Sequence, residues 1–341
     1  MSLQVYFGTV VRTAPVVSGG ELIRLDWDSK RIVRRVPIVP QNPSVEEDPN
    51  PRGNTRGCRG IQLHGNQVLA ANYHTIDVFD RELNQLRSIS DGLMVGLHET
   101  WLEESKLWVT STAIDAAVCY DVSTGQRCGV LQPRQSARLR RELDIEAQTL
   151  DPTADHRLRF LDSSHTRLKS HLHFNALAGW DGDYFGLLHA KGAIVNVSAE
   201  RVVFRDPMLE KAHNLVMLGD GLAAVNDTFR ATLRIIDLRQ GKLVRSIDVR
   251  KYPRVQYLLA RGGLSTAIRV IRTLGRAAGP QVARPLFLRG LAIHDGDAFL
   301  GLSPATILRI DLENGRLKDS FELSSDVRVC VHGLVVTSED F

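Results

Sequence analysis

The stretch KSHLHFNALAGWDGD, residues 169–183, reads as a β-strand that begins with polar side chains and ends in a tight turn. Side chains alternate along an extended chain, so His171, His173 and Asn175 would share one side, and the apolar residues between them the other. The Asp-Gly pair after Trp180 favours a two-residue hairpin turn, because both residues tolerate positive φ. The segment therefore predicts a core strand with a polar start, followed by a hairpin.

Five further segments repeat this pattern of a polar residue, a short apolar strand and, in all but the last, a turn with a second strand. They are CRGIQLHGNQVLAAN from Cys58, LHETWLEESKLWVTS from Leu97, AHNLVMLGDGLAAVN from Ala212, LRGLAIHDGDAFLGL from Leu288 and VHGLVV from Val331. Third and fourth strands follow, as in TLRIIDL and KLVRSIDV. Four short antiparallel strands per repeat are typical of a propeller blade.

The two ends of the chain set the number of blades. Residues 1–38 contain second, third and fourth strands without a first, and residues 327–336 contain a first strand alone. Joining them completes a sixth blade and removes the sheet edges that an open array would expose. The sequence therefore predicts an all-β, six-bladed β-propeller that forms a single domain over residues 1–341 and is closed by N- and C-terminal strands sharing one blade.

One aligned position at the start of each first strand carries a basic or imidazole side chain. Because first strands line the central channel of a propeller, these six residues should form a ring near one of its mouths. They are Arg59, His98, His173, His213, Arg289 and His332.

The histidines of this ring are candidate metal ligands. Neutral imidazole suits divalent transition metals such as zinc, iron and copper. Three adjacent blades supply His98, His173 and His213, the number of protein ligands used in catalytic sites with an open position, and His332 could complete a four-histidine site. The alternatives are polar residues that meet channel water, or an anionic ligand bound by the ring without a metal.

Other residues near the ring are candidates for substrate binding and proton transfer. Arg59 and Arg289 offer forked donors that match a carboxylate or phosphate. Asn175 and Asn214 could donate hydrogen bonds to a substrate, or could satisfy strand ends. The candidate catalytic groups are Glu99, Asp227 and His189, and the alternative for Glu99 is a surface carboxylate that pairs with an arginine.

Two insertions separate blades that are otherwise evenly spaced. Residues 133–170 lie between blades 2 and 3, and residues 251–287 lie between blades 4 and 5. Both contain helix-like stretches, and both connect a fourth strand to the next first strand, so they should emerge at the mouth that holds the ring and cap that face. We expect a lid that excludes water from the site. A homodimer contact or a membrane-surface helix is the alternative.

Composition and charge bound the class of protein. With 341 residues, 43% hydrophobic content and a net charge of +4, the chain can bury a large core and carries no strong signal for nucleic acid. No signal peptide or membrane span is evident, which predicts a cytoplasmic protein. Its four cysteines fit no metal or disulfide framework. Cys119 and Cys128 could face each other across a hairpin, although reduced thiols are the favoured interpretation.

The blade pattern resembles the six-bladed propellers of the SMP-30/gluconolactonase, NHL and peptidyl-amidating lyase group over essentially the whole chain. Histidines on inner strands look like the zinc arrangement of the amidating lyases and, more generally, the four-histidine iron site of carotenoid oxygenases. SMP-30-like sites use mainly Glu, Asn and Asp, which this ring of His and Arg does not match. The HLHFNALAGWDGD and AHNLVMLGDGLAAVND stretches also look like an uncharacterised bacterial propeller family.

Two functional hypotheses follow from the ring and the insertions. The first is a metal-dependent enzyme that acts on a small anionic substrate, as a lyase, hydrolase or oxygenase. The second is a non-catalytic propeller that binds a partner protein or a small anionic ligand through the insertion face.

Overall fold

A computed structural model of the chain describes residues 2–12, 14, 19–39, 57–157, 172–272 and 286–338, with the backbone alone for 263–272. The strands of the first two complete blades and of the N-terminal segment are β1 (Gln4–Val11), β2 (Glu21–Asp26), β3 (Arg31–Pro37), β4 (Gly60–His64), β5 (Gln67–Ala71), β6 (Ile76–Asp80), β7 (Gln85–Ile89), β8 (Leu97–Glu103), β9 (Lys106–Ser111), β10 (Ala116–Asp121) and β11 (Arg127–Leu131). The remaining strands are β12 (Phe174–Trp180), β13 (Asp183–Leu188), β14 (Ala193–Asn196), β15 (Arg201–Arg205), β16 (His213–Gly219), β17 (Leu222–Asp227), β18 (Thr232–Asp237), β19 (Lys242–Asp248), β20 (Gly290–His294), β21 (Asp297–Leu302), β22 (Thr306–Asp311), β23 (Leu317–Glu322) and β24 (Val329–Thr337).

These strands form six antiparallel four-stranded sheets, which confirms the predicted six-bladed propeller. Blades 1 to 5 are β4–β7, β8–β11, β12–β15, β16–β19 and β20–β23. Blade 6 has the order β24-β1-β2-β3, so the C-terminal strand is its innermost strand and the N-terminal segment supplies the other three. The register runs from Gln4 opposite Thr337 to Val11 opposite Val329. The two ends of the chain therefore close the ring within one sheet.

The hairpin turns have the conformation that their Asp-Gly pairs favour. Both central residues have positive φ at Asp181 and Gly182 (53° and 77°) and at Asp220 and Gly221 (50° and 76°). The turn after β20, at residues 295 and 296, is the same. Two positive φ values in succession define a type I′ turn, whose twist matches the strands that it joins. The local sequence thus sets the first hairpin of three blades.

The core lies between the blades rather than within any one of them. The described residues contain six clusters of buried apolar side chains, one in each gap between neighbouring sheets. In the gap between blades 5 and 6, for example, the rings of Trp27 and Phe299 meet edge to face at 5.1 Å. Aromatic pairs of this kind add to the free energy gained by burying their area.

The first insertion begins with a short helix, α1 (Ala137–Leu143), that packs against blade 3. Leu139 and Leu143 are buried in the cluster between blades 2 and 3. The carboxylate of Glu142 accepts a hydrogen bond from the Val202 amide of the outermost strand β15 at 2.8 Å. This part of the insertion therefore covers the outer side of the blade.

The second insertion forms a longer helix, α2 (Pro253–Arg272), that packs against blade 5. Val255 and Leu258 are buried between blades 4 and 5, and Arg254 pairs with Glu322 at the end of the outermost strand β23 at 2.6 Å. Residues 158–170 of the first insertion and 273–285 of the second lie outside the described residues, as does His171. The lid and the homodimer contact stay predictions. No helix in the described part of the chain is long and apolar enough to cross a membrane.

Candidate functional site

The predicted ring residues lie where the six first strands converge, and the histidine-bearing strands are irregular there. β4 and β20, which follow Arg59 and Arg289, pair regularly with their neighbours. The other four first strands have a register shift, as expected for a β-bulge, which bends a strand and re-aims its side chains. The shifts lie between Leu97 and Thr100 in β8, Phe174 and Ala176 in β12, His213 and Val216 in β16, and Phe7 and Thr9 opposite β24.

Three of the histidines form a compact buried cluster, which we call the histidine triad: His98, His213 and His332. One ring nitrogen from each lies within 4.8 Å of the other two. Their ring centroids are 4.6 Å apart for His98 and His332, 5.1 Å for His98 and His213, and 6.0 Å for His213 and His332. Zinc binds imidazole nitrogen at about 2.0–2.1 Å, so these nitrogens are close to the spacing that one ion needs.

Hydrogen bonds fix the protonated nitrogen of His213. Its Nδ1 lies 2.8 Å from the Thr228 hydroxyl oxygen and 3.0 Å from the Lys211 carbonyl oxygen. The Thr228 hydroxyl donates its own hydrogen to the Leu288 carbonyl at 2.6 Å, so it accepts from His213. Nδ1 therefore carries the hydrogen and Nε2 keeps its lone pair. A ligand histidine is oriented by this kind of contact in known metal sites.

The other two members of the triad also have nitrogens suited to binding an ion. Nδ1 of His332 lies 3.1 Å from the Arg59 carbonyl oxygen, which favours the same tautomer as in His213. Nδ1 of His98 is buried, and no hydrogen-bond partner for it occurs among the described residues. A buried polar atom without a partner costs free energy unless something binds it. The donor set thus fits a metal ion.

Burial keeps all three imidazoles of the triad neutral. It is the main cause that lowers the pKa of His98, His213 and His332 well below the ordinary histidine value. Repulsion from neighbouring basic groups lowers it further: a proton on His332 would oppose a proton on His98, and the charge of Arg289 opposes protonation of the other two. Neutral imidazole is the form that binds metal ions, so binding of an ion would not have to displace protons from charged imidazolium rings.

Glu99 crosses the channel and contacts residues of three blades. Its Oε1 accepts a hydrogen bond from Asn214 Nδ2 at 2.8 Å and lies 3.8 Å from His98 Nδ1 and 3.7 Å from His332 Nδ1. Asn214 is in the left-handed region (φ 60°), and its own oxygen accepts from Asn226 Nδ2 at 2.8 Å. Burial raises the pKa of Glu99 well above the usual glutamate range, although the Asn214 bond and two arginines oppose this. Glu99 is therefore placed to hold a proton beside the triad.

Arginines surround the triad on the side of blades 5, 6 and 1. Arg289 Nη1 lies 3.4 Å from His332 Nε2, and Arg289 and Arg12 both lie over the Phe287 ring, with their guanidinium carbons 5.3 Å and 4.4 Å from its centroid. The charges of Arg289, Arg59 and Arg12 each lower the pKa of His332. With Glu99 as the carboxylate among these groups, the site is predominantly positive and suits an anion.

His173 and His189 lie beside the triad rather than within it. The His173 ring is 4.6 Å from the His189 ring, which is 5.3 Å from that of His213. The His189 Nδ1 lies 3.2 Å from the Ala212 carbonyl, to which Asn175 Nδ2 donates at 2.7 Å. The structure thus brings together every predicted ring histidine and His189. The third member of the cluster with His98 and His213 is His332, whereas the sequence pattern favours His173.

A buried ion pair that the sequence analysis does not single out holds His173 in place. Asp115 accepts from the backbone amides of Leu172 (2.9 Å) and His173 (2.8 Å) and from Arg134 Nε (2.7 Å). The Asp115 and Arg134 side chains are only 1% and 2% exposed. His173 has φ 54°, an uncommon conformation for a non-glycine residue, and these bonds support it. Nothing in the sequence near either residue indicates their pairing.

Asp227 has partners of a different kind from those expected of a catalytic carboxylate. It is fully buried, and its Oδ2 lies 3.0 Å from Arg234 and 3.5 Å from Arg230. Its Oδ1 also accepts from the Arg230 amide at 3.0 Å. These contacts tie β17 to β18 and to the turn between them, and the catalytic role of Asp227 stays a prediction. The neighbouring Asn226 instead faces the site, through Asn214.

Comparison with known proteins supports the fold and goes no further. No model of a known protein family matches this sequence, and no curated protein matches it. A protein of unknown function from Bacteroides caccae is similar in structure, with a TM-score of 0.60 at 10% identity, over 99% of this chain and 100% of that one. A chain of the nidogen/laminin complex has a TM-score of 0.56 at 8% identity, over 98% of both chains. At such identities the likeness concerns the fold alone.

Proposed function

We propose that this propeller is a metal-dependent enzyme that acts on a small anionic substrate at the channel mouth. The observation that carries the proposal is the histidine triad, in which three buried, neutral imidazoles place ring nitrogens within 4.8 Å of one another. His98 Nδ1 is buried and has no hydrogen-bond partner among the described residues. Buried polar atoms are normally paired, so a bound ion would account for this nitrogen.

His98, His213 and His332 would hold the ion, and the donor set suits zinc, iron or copper. A bound ion of this kind polarises a carbonyl or phosphoryl oxygen, or activates water. The rings of His173 and His189 lie 5.9 Å from His98 and 5.3 Å from His213, respectively, so they could donate hydrogen bonds to a substrate on the blade 3 side of the triad. The resemblance to the amidating lyases agrees with this donor set, and a lyase, a hydrolase or an oxygenase could each use it.

The arginines would bind the substrate anion and Glu99 would transfer a proton. Arg289 Nη1 lies 3.4 Å from His332 Nε2, so a bound ion would take this lone pair and leave the Arg289 N–H to donate to an anion held beside the ion. Glu99, with its raised pKa, can hold a proton at Oε1 or Oε2 and release it to a substrate or accept one from it. Asn214 orients the carboxyl group through its 2.8 Å hydrogen bond.

Metal content is the first test of this proposal. Protein purified without an affinity tag should contain, or take up on reconstitution, about one equivalent of zinc, iron or copper per chain, because a three-histidine site binds one ion. Inductively coupled plasma mass spectrometry after gel filtration gives the stoichiometry. Protein that holds no transition metal as purified and retains none after reconstitution would refute the proposal.

Anion binding should depend on Arg289. In zinc-loaded protein, Arg289→Met should weaken the binding of inorganic phosphate about 10–100-fold, because a charge-assisted hydrogen bond contributes about 1.5–3 kcal/mol. Isothermal titration calorimetry measures the change. Arg201→Met, on the exposed outer strand β15, is the matched control and should bind phosphate like the unmodified protein. Equal affinities for the two variants would exclude Arg289 from the anion site.

A further inference from the structure

A pair of cysteines on the outer hairpin of blade 2 lies apart from the histidine triad. Cys119 is in β10 and Cys128 is in β11, and their sulfur atoms are 2.7 Å apart. This is about 0.7 Å beyond the bonded distance of about 2.05 Å in a disulfide. Both are free thiols here.

A β-bulge in the hairpin of β10 and β11 brings the two sulfur atoms together. Cys119 pairs with Gly129, and the register then shifts so that the next residue, Tyr120, pairs with Arg127. Cys128 is therefore the extra residue of a β-bulge, which allows its side chain to turn towards Cys119. Gly129 has no side chain to come between the two sulfurs.

The two thiols differ in exposure, and this gives each a distinct chemical role. Cys128 is exposed on the outermost strand of the blade, where a small oxidant can reach it. Cys119 is 1% exposed and packs in the cluster between blades 2 and 3 that also holds Trp108 and helix α1. Burial raises the pKa of the Cys119 thiol, which disfavours the thiolate that attack on a disulfide requires.

We propose that Cys119 and Cys128 form a reversible redox site whose substrate is a small disulfide of the glutathione class. This site is independent of the metal-dependent activity proposed above. Surface exposure makes Cys128 the attacking thiol, and the short distance between the sulfurs makes Cys119 the resolving thiol.

The exchange proceeds in two steps that balance. The Cys128 thiolate attacks one sulfur of oxidised glutathione, which breaks the glutathione disulfide, forms a mixed disulfide and releases one glutathione thiolate. Cys119 then gives its proton to the released glutathione thiolate and attacks the Cys128 sulfur, which forms the Cys119–Cys128 disulfide and releases the second glutathione as a thiolate that takes up the proton lost earlier by Cys128. Two protein thiols are oxidised and one glutathione disulfide is reduced to two thiols.

The test uses the reduced full-length protein in glutathione buffers of increasing oxidised-to-reduced ratio, with chelator present to remove metals. After acid quenching and alkylation, peptide mass spectrometry should show a Cys119–Cys128 disulfide that rises with the ratio and disappears with dithiothreitol. Cys119→Ala should accumulate glutathione on Cys128, and Cys128→Ser should form no disulfide within the chain. Cys330→Ala, a variant of another buried cysteine, should behave like the unmodified protein.

Three outcomes would overturn the proposal. Both thiols could stay reduced at the most oxidising ratio, or a stable glutathione adduct on Cys128 could accumulate in the unmodified protein. Disulfide-linked dimers through Cys128 would show that the thiol reacts with other molecules instead of with Cys119.

Discussion

Replacing Arg134 with methionine should lower the free energy of unfolding by about 3–5 kcal/mol, because removal of one partner strands a buried charge. Arg134 and Asp115 are both almost completely buried, and the Arg134 Nε donates to Asp115 Oδ2 at 2.7 Å. Asp115 would keep its two backbone amide donors but lose the Arg134 guanidinium. The guanidinium also donates to the Glu146 carbonyl at 3.1 Å, so a hydrogen bond within the insertion would be lost as well.

Urea denaturation followed by tryptophan fluorescence measures this loss of stability. The matched control is Arg127→Met, which breaks the partly exposed pair between Arg127 of β11, on the same blade, and Asp91 in the connection between blades 1 and 2 (28% and 25% exposed). That pair should contribute about 1 kcal/mol or less. Equal losses in the two variants would mean that the buried pair provides no more stability than a surface pair.

Replacing His213 with alanine should weaken zinc binding at least about 100-fold, since even residues that only support a ligand are worth 10–100-fold in affinity. The variant leaves two of the three ligand nitrogens of the triad. Competition with a chromophoric chelator, on protein purified without an affinity tag, gives the dissociation constants. A smaller loss, about 10-fold, is expected for Thr228→Val, because it removes only the hydroxyl that holds His213 Nδ1.

His294→Ala is the matched control for the triad. His294 lies at the far end of β20, away from Gly290 and the ring, and it is only partly exposed, so the substitution tests for non-specific loss of affinity. If His213→Ala binds zinc normally while His173→Ala does not, the ion is held by His173 and His189 on the blade 3 side, and the triad is a packing cluster.

The sequence predicts the architecture well because the determinants of a blade are local. Strand alternation and turn chemistry act over a few residues, and the Asp-Gly turn that ends at Gly182 has the backbone conformation that its sequence favours. The shared blade follows from the same pattern, because Val5 and Val336 lie in complementary incomplete repeats and are paired in the sheet. Repetition gives each blade independent support, so an error in one strand does not change the number of blades.

The sequence is less informative about the site, because side-chain direction at a bulge cannot be read from strand alternation. The aligned position identifies His98, His173, His213 and His332 as one set, and all four converge. Alternation treats them as equivalent. The structure separates His173, which is held by Asp115 in a left-handed conformation, from the three that share a buried cluster.

By itself, the sequence determined six blades, their closure through one shared sheet and a ring of imidazole and guanidinium groups, since each depends on a repeated local pattern. Only the tertiary structure decided which histidines meet, that Glu99 reaches Asn214 across the channel, and that Asp115 pairs with Arg134. These contacts join residues that are far apart in the chain, and their existence depends on bulges and on the packing between blades. The residues on either side of Glu99, Asn214, Asp115 and Arg134 in the sequence give no indication of these contacts.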